Sequence, residues 1–296
     1  MEYYASGKLL LFGEYLVLRG SGALAIPLKY GQRLLVEKSG TNLFNWTSSI
    51  DGNTWFSASF SGDLQLVNSS DAKTASKLLL VLKTIKQEKP ELFLSGLNFD
   101  IDADFPLDWG FGSSSTLVSC LAQWSALNPY NLLQKTFGGS GYDICCATAT
   151  MPVLYEIELQ QGVPVYLFPK ITSKLLFVYS GKKQDSESEV KKFTSLNISS
   201  EQTELMNKII LSAIKSTQIE VFEDEIIKSE ALLSEILNTP SIKEAKFSDY
   251  PYQVKSLGAW GGDFFMATFR KENEAREYFQ AKGFPVQFNY NEVIRK

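Results

Sequence analysis

The stretch Trp109-Gly110-Phe111-Gly112-Ser113-Ser114-Ser115 stands between an acidic strand pattern and an apolar helix pattern, and its reading decides the fold. Glycine has no Cβ, so the backbone can turn tightly at Gly110 and Gly112 and approach a ligand closely. The helix expected to follow presents unpaired N–H groups and the positive end of its dipole to an anion. The hydroxyls of Ser113, Ser114 and Ser115 add donors for a phosphate, or an oxygen ligand for a metal. No lysine follows the serines, so this is not a Walker-type phosphate loop. Taken alone, a Gly/Ser turn ahead of a helix is also what an ordinary turn and cap look like.

Outward from this stretch the pattern is regular. Phe99, Ile101 and Ala103 alternate with Asp100, Asp102 and Asp104, which predicts a half-buried strand with a solvated acidic face. No chemistry is assigned to those aspartates. Ser115 to Leu127 is apolar nearly all round and predicts a buried helix. Upstream, a helix capped by Asp71 carries the stripe Leu78, Val81, Leu82 and Ile85 and ends before Pro90. The first sixty or so residues read as β-rich. They contain the apolar runs Leu9 to Phe12 and Leu16-Val17-Leu18, an alternating strand from Tyr30 to Val36, and hairpin signals from Gly40 to Asp63.

Downstream, strands are expected from Val153 to Phe168 and from Leu175 to Tyr179. A largely helical region follows from Ser200 to Leu237, opened by a Ser199/Gln202 capping box. Strands at Val254 to Ser256 and Phe264 to Phe269 flank a glycine-rich turn. A helix near Asn273 to Lys282 and a strand near Val286 complete the chain. A domain boundary is expected near residue 165, giving domains 1–165 and 166–296.

Composition narrows the chemistry. The 296 residues carry 29 basic and 33 acidic side chains, a formal net charge of −4. No basic cluster breaks this balance, so nucleic acid is not an expected partner. The apolar runs are too short to span a bilayer, and the opening Met1-Glu2-Tyr3-Tyr4 has no targeting pattern. The three cysteines, two of them adjacent, do not make a disulfide framework. The expected location is therefore the reducing cytoplasm. There is no histidine. That excludes Ser-His-Asp and Cys-His nucleophile systems and His-based zinc sites. Any catalysis must use carboxylates, lysine, hydroxyls and backbone groups.

Three segments in order carry a family resemblance. Pro106-Leu107-Asp108-Trp109-Gly110-Phe111-Gly112-Ser113-Ser114-Ser115 resembles P-x-x-x-G-L-G-S-S-A, the second motif of the galactokinase, homoserine kinase, mevalonate kinase and phosphomevalonate kinase superfamily. Ser6-Gly7-Lys8-Leu9-Leu10-Leu11-Phe12-Gly13-Glu14-Tyr15-Leu16-Val17-Leu18 is similar to its first motif, P-G-K-x-x-L-x-G-E-[HY]-x-V. Lys255-Ser256-Leu257-Gly258-Ala259-Trp260-Gly261-Gly262-Asp263 is similar to its third, K-x-T-G-A-G-G-G-G. The resemblance implies an α+β, GHMP-kinase-like two-domain fold, with a ribosomal-protein-like N-terminal half and a ferredoxin-like C-terminal half. It implies ATP and Mg²⁺ as cofactors and transfer of a phosphoryl group to a small metabolite. Motif one leans towards the mevalonate and phosphomevalonate branch. A monomer or homodimer is expected.

The resemblance also suggests site residues. Ser140-Gly141-Tyr142-Asp143 resembles the family's S-G-x-D, whose aspartate faces the substrate hydroxyl. Asp143 would orient and deprotonate the acceptor, with Lys8 as its catalytic partner. A plain capping role for Asp143 stays open, because Asp is a favoured cap. Gly110, Gly112, Ser113, Ser114, Ser115, Gly258, Trp260 and Gly261 are the expected nucleotide contacts, and Ser114 and Asp143 the expected metal ligands. Glu14 reads as a turn carboxylate tied to backbone amides.

Two departures matter. Between Ser115 and Asp143 there is no Glu and no other Asp, so the family's magnesium-binding glutamate is missing. Trp260 and Asp263 stand where the third motif has small residues. These departures keep a catalytically inactive, nucleotide- or metabolite-binding member open as an alternative, and behind it a decarboxylase on the same fold.

Overall fold

The computed structural model describes residues 1–183, 193, 195–260 and 262–295. Contacts divide the chain into two units, neither continuous in sequence. The first comprises Met1–Gly7, Tyr30–Leu107 and Phe111–Thr148; the second comprises Lys8–Lys29, Asp108–Gly110 and Ala149–Lys296. The single boundary expected near residue 165 therefore differs from the division that contacts give. The reason lies in strand pairing: Ala23–Ala25 register with Val153–Tyr155, which ties the early chain to the later one.

The first unit is a sheet covered by helices. Its strands are β1 (Glu2–Phe12), β2 (Ala23–Lys38), β3 (Phe44–Ile50), β4 (Asn53–Phe60) and β5 (Leu66–Ser69), with β6 (Leu97–Ala103) later in the chain. β1 and β2 lend only part of their length to this unit. The order runs β5-β4-β3-β6-β2, with β1 paired to β2. β3 and β6 are parallel, and the other registered pairs are antiparallel. The helices are α1 (Ala72–Glu88), α2 (Ser113–Ser125), α3 (Pro129–Thr136) and α4 (Tyr142–Thr148).

The α1 stripe is buried as its periodicity predicts: Val81, Leu82 and Ile85 are fully covered. Each such side chain contributes roughly 1.5–3 kcal/mol relative to exposure. Asp71 caps the helix by accepting from the Thr74 N–H at 2.7 Å. Phe99, inward-facing on β6, meets Trp124 of α2 edge-on at 5.0 Å and stacks with Trp46 at 5.3 Å. That contact anchors the helix that follows the glycine–serine stretch.

The second unit contains β7 (Val153–Glu156), β8 (Gln161–Pro164), α5 (Pro169–Thr172) and β9 (Leu175–Tyr179), then the long helices α6 (Ser200–Lys215) and α7 (Ile219–Leu237). After them come α8 (Ile242–Lys246), β10 (Val254–Leu257), β11 (Phe264–Thr268), α9 (Glu272–Ala281), β12 (Gln287–Asn289) and α10 (Tyr290–Val293). β9 through β12 form an antiparallel sheet in the order β10-β11-β9-β12. A strand–helix–strand–strand–helix–strand sequence in that order is ferredoxin-like, as expected. Its core is aromatic: Phe247, Phe265 and Phe279 lie within 5.3 Å of one another by ring centroid. The Ser199/Gln202 capping box is formed in full.

One early element differs from the expected strand pattern. Leu16–Arg19 is a 3-10 turn, entered at Tyr15 (φ 58°) and closed at Gly20 (φ 90°). Three apolar residues in a row fit a strand or a buried turn equally well. The left-handed residues on either side decide for the turn. No helix among the described residues is long and apolar enough to cross a membrane.

Candidate functional site

In the first unit, Phe111 fixes the glycine–serine stretch. It is fully buried, stacks on Tyr30 at 5.8 Å and lies 5.6 Å from Phe105. Gly7 of the first motif passes beside it; a Cβ at Gly7 would stand 2.8 Å from the Phe111 carbonyl oxygen. Gly112 then adopts a left-handed conformation (φ 91°, ψ 41°) as the N-cap of α2, and no side chain caps the helix. The first-turn N–H groups thus meet no capping side chain, the arrangement that suits an external anion. Ser114 is exposed, Ser113 half-buried and Ser115 buried.

Ser115 connects this turn to the candidate base. Its hydroxyl donates to Asp143 Oδ2. The other carboxylate oxygen, Oδ1, accepts from the Ile144 N–H at 3.1 Å. Asp143 sits in the first turn of α4, half-buried. Both oxygens already have a donor within the unit, so the carboxylate is held in one orientation and stays partly open to solvent. The helix is further secured by Thr116, whose hydroxyl donates to Gln32 Oε1 at 3.0 Å.

In the second unit, Lys8 Nζ donates to the Gly110 carbonyl at 2.9 Å. Lys8 therefore braces the start of the glycine–serine stretch. Gly110 is also left-handed (φ 67°), and a Cβ there would collide with the Asp263 carboxylate. Trp109, its neighbour, packs edge-on to Phe288 at 5.3 Å and to Phe264 at 6.1 Å. Asp108 accepts from the Tyr179 hydroxyl at 3.0 Å. Burial, followed by this hydrogen bond and the Asp108 and Asp263 charges, pushes the Tyr179 hydroxyl up to about 12.

The third-motif residues lie in the same unit. Gly258 is left-handed (φ 71°), with open space where a Cβ would be. The Trp260 N–H donates to the Tyr15 hydroxyl at 2.5 Å, and the Trp260 residue is half-buried. Gly261 lies outside the described residues. Asp263 is held by its backbone, whose carbonyl accepts from the Ser180 N–H at 2.8 Å.

Glu14 is the turn carboxylate expected, facing the Gly13 and Glu14 N–H groups, and it has a second partner. It is buried, and its carboxylate pairs with Lys255 Nζ, the lysine that opens the third motif. Lys255 is wholly buried and also donates to the Ser256 carbonyl at 3.1 Å. A second carboxylate, Glu230 of α7, stands 3.7 Å from the same ammonium. Neither oxygen of Glu230 has a hydrogen-bond partner within 3.5 Å, although the Ser256 N–H and the Lys255 ammonium both face it, and Glu14 Oε2 also lacks such a partner. Two buried carboxylates share one cation. Burial, which Lys255 only partly offsets and Glu14 reinforces, pushes the Glu230 carboxyl up to about 7. Glu14 is likewise raised by burial against the Lys255 attraction. The signal for Glu230 was its position on the buried stripe Phe222, Ile226, Glu230 and Leu233, where a charge is out of place.

No protein-family model matches the chain, and no curated protein matches it by sequence. Solved structures do. Methanococcus jannaschii mevalonate kinase aligns over 100% of this chain and 98% of its own, at 17% identity and a TM-score of 0.73. Streptococcus pneumoniae phosphomevalonate kinase, in complex with phosphomevalonate and AMPPNP, aligns over 98% of this chain and 99% of its own, at 18% identity and 0.73. Lactococcus lactis galactokinase, complexed with galactose, aligns over 99% and 92%, at 15% identity and 0.71. The chain has the α+β fold of the superfamily that includes mevalonate kinase, phosphomevalonate kinase and galactokinase.

Proposed function

We propose that this protein is an ATP-dependent small-molecule kinase that transfers a phosphoryl group to a hydroxyl or phosphate of a small metabolite, with mevalonate or phosphomevalonate the favoured acceptor. The observation that carries the reading is the uncapped start of α2 at left-handed Gly112, with Asp143 held beside it through Ser115. The α2 N–H groups and the Ser113 and Ser114 hydroxyls would receive the nucleotide phosphates. Gly110, Gly258, Trp260 and Gly261 are the further proposed nucleotide contacts.

Phosphoryl transfer rests on positioning and charge stabilisation. Asp143, oriented by the Ser115 hydroxyl and the Ile144 N–H, accepts the acceptor's proton. General-base help of this kind contributes roughly 10²–10⁴-fold. Lys8, bound to the Gly110 carbonyl, supplies positive charge for the developing negative charge. Among the described residues there is no cluster of three metal-ligating side chains. Ser114 and Asp143 are the proposed ligands for Mg²⁺, which takes one or two carboxylates and completes its shell with phosphate oxygens and water. When bound, the ion would neutralise phosphate charge.

Asp263 favours a second reading, an inactive nucleotide- or metabolite-binding protein. Its carboxylate lies against Gly110, a proposed phosphate contact, and a negative charge there opposes a triphosphate. Calorimetry with ATP, in the presence and absence of Mg²⁺, tests the nucleotide site common to both readings. Magnesium-dependent binding is expected; no heat of binding in either condition overturns the kinase proposal.

A further inference from the structure

Tyr15 of the first motif is held in a backbone conformation (φ 58°, ψ −47°) that only glycine adopts readily. The Leu16 N–H donates back to the Glu14 carbonyl at 2.5 Å, so Tyr15 is the centre of a γ-turn of the rare, strained form. The turn is locked in place: the Val17 N–H donates to the Gly13 carbonyl at 3.0 Å, and Leu16 and Val17 are buried. Such strain persists only where the surroundings over-determine it, and it points to a role for the residue that bears it.

The strain aims the side chain. The Tyr15 ring is buried and stacks on buried Phe193 at 5.1 Å, with the planes 28° apart. Its hydroxyl accepts the Trp260 N–H at 2.5 Å. The preceding residue, Glu14, pairs with Lys255, which opens the same third-motif segment. Two adjacent side chains of the first-motif turn thus hold the third motif at its start and at Trp260. The chain around these holds folds tightly. Gly258 is left-handed (φ 71°), and a Cβ at Gly262 would stand 2.3 Å from the Leu257 carbonyl oxygen and 2.5 Å from that of Ala259. Glycine loses more conformational freedom on ordering than any other residue, so a glycine turn gains most from outside holds.

We propose that Tyr15 is a positioning residue: its strained turn directs the phenol to the Trp260 N–H, and this hold presets the third-motif turn for the nucleotide. The proposal rests on the reading of Gly258 and Trp260 as nucleotide contacts. A turn ordered before the ligand arrives removes that ordering cost from binding. Tyr15 acts through Trp260.

The test uses the full chain labelled with fluorotryptophan, and Tyr15→Phe, which keeps the ring on Phe193 and removes only the hydroxyl. The five tryptophans give five fluorine NMR signals, and Trp260→Phe identifies that of Trp260. Without nucleotide, the Trp260 signal should shift and broaden in Tyr15→Phe. The signal of Trp109, packed on Phe264 and Phe288 in the same unit, should stay in place and show that the fold is kept. In the wild type the Trp260 amide should exchange slowly with deuterium. ATP affinity by calorimetry should fall about five- to tenfold in Tyr15→Phe, the size of one hydrogen bond. A merely structural hydroxyl would lower stability and leave the affinity of the folded protein unchanged. An unprotected Trp260 amide, an unmoved Trp260 signal, or undiminished ATP affinity in the variant overturns the positioning role alone. A wild type that binds no ATP overturns the nucleotide reading, and the positioning role falls with it.

Discussion

Replacing Glu230 with glutamine should stabilise the protein at alkaline pH. The wild-type carboxyl is pushed up to about 7 from its ordinary 4.5, chiefly by burial. The folded state therefore holds this proton more tightly than the unfolded state does. Below 4.5 both states are protonated and nothing is lost. As pH rises from 4.5 to 7 the unfolded chain releases the proton first, and wild-type stability falls. Above 7 the loss is complete. A shift of two to three pH units at about 1.4 kcal/mol each gives about 3 kcal/mol. Glutamine cannot ionise, so the variant escapes this loss, and Lys255 is left to neutralise Glu14 alone. Urea unfolding of both proteins near pH 5 and near pH 8 measures the difference. The variant's advantage should be small near pH 5 and approach about 3 kcal/mol near pH 8. A difference that does not change with pH, or a variant less stable than wild type near pH 8, would refute the reasoning. It would show that Lys255 holds Glu230 as a stable anion.

Three further outcomes follow from the site geometry. Ser115→Ala removes the hydroxyl that holds Asp143 Oδ2 and should lower kcat about tenfold with little change in ATP affinity, as steady-state kinetics on the acceptor would show. Ser114→Ala, at the exposed start of α2, should weaken ATP binding about tenfold by calorimetry; unchanged affinity would remove Ser114 from the nucleotide site. Asp263→Asn removes the charge beside Gly110 and should tighten ATP binding. Weaker binding in this variant would instead mark Asp263 as a carrier of the metal.

Much of the fold could be read from local pattern. The α1 stripe, the alternation on β6 and the Ser199/Gln202 box are each carried by residues close together in sequence. The turn at Leu16–Arg19 was not legible, because a three-residue apolar run has no period to read and left-handed Tyr15 carries no glycine to announce it. The division into units was hidden for a different reason. It depends on Ala23–Ala25 meeting β7, a pairing between segments far apart in the chain. At the site, the glycine–serine turn and Asp143 were visible as motifs, but their link through Ser115 was not. The ion pair of Glu14 was hidden for the same reason: its partner, Lys255, lies at the far end of the chain.

The most direct measurement of the central claim is turnover. The protein is incubated with ATP and Mg²⁺ and with mevalonate, phosphomevalonate, homoserine or galactose in turn, and ADP release is followed for wild type and Asp143→Asn. Wild type should release ADP with one acceptor, mevalonate or phosphomevalonate first among them. Asparagine keeps the shape of the side chain but not its basicity, so the variant should be at least about a hundredfold slower at unchanged ATP affinity. An Asp143→Asn variant that turns over like wild type would contradict the assignment of the base. Wild type that releases no ADP with any of these acceptors would contradict the kinase reading in favour of the binding protein.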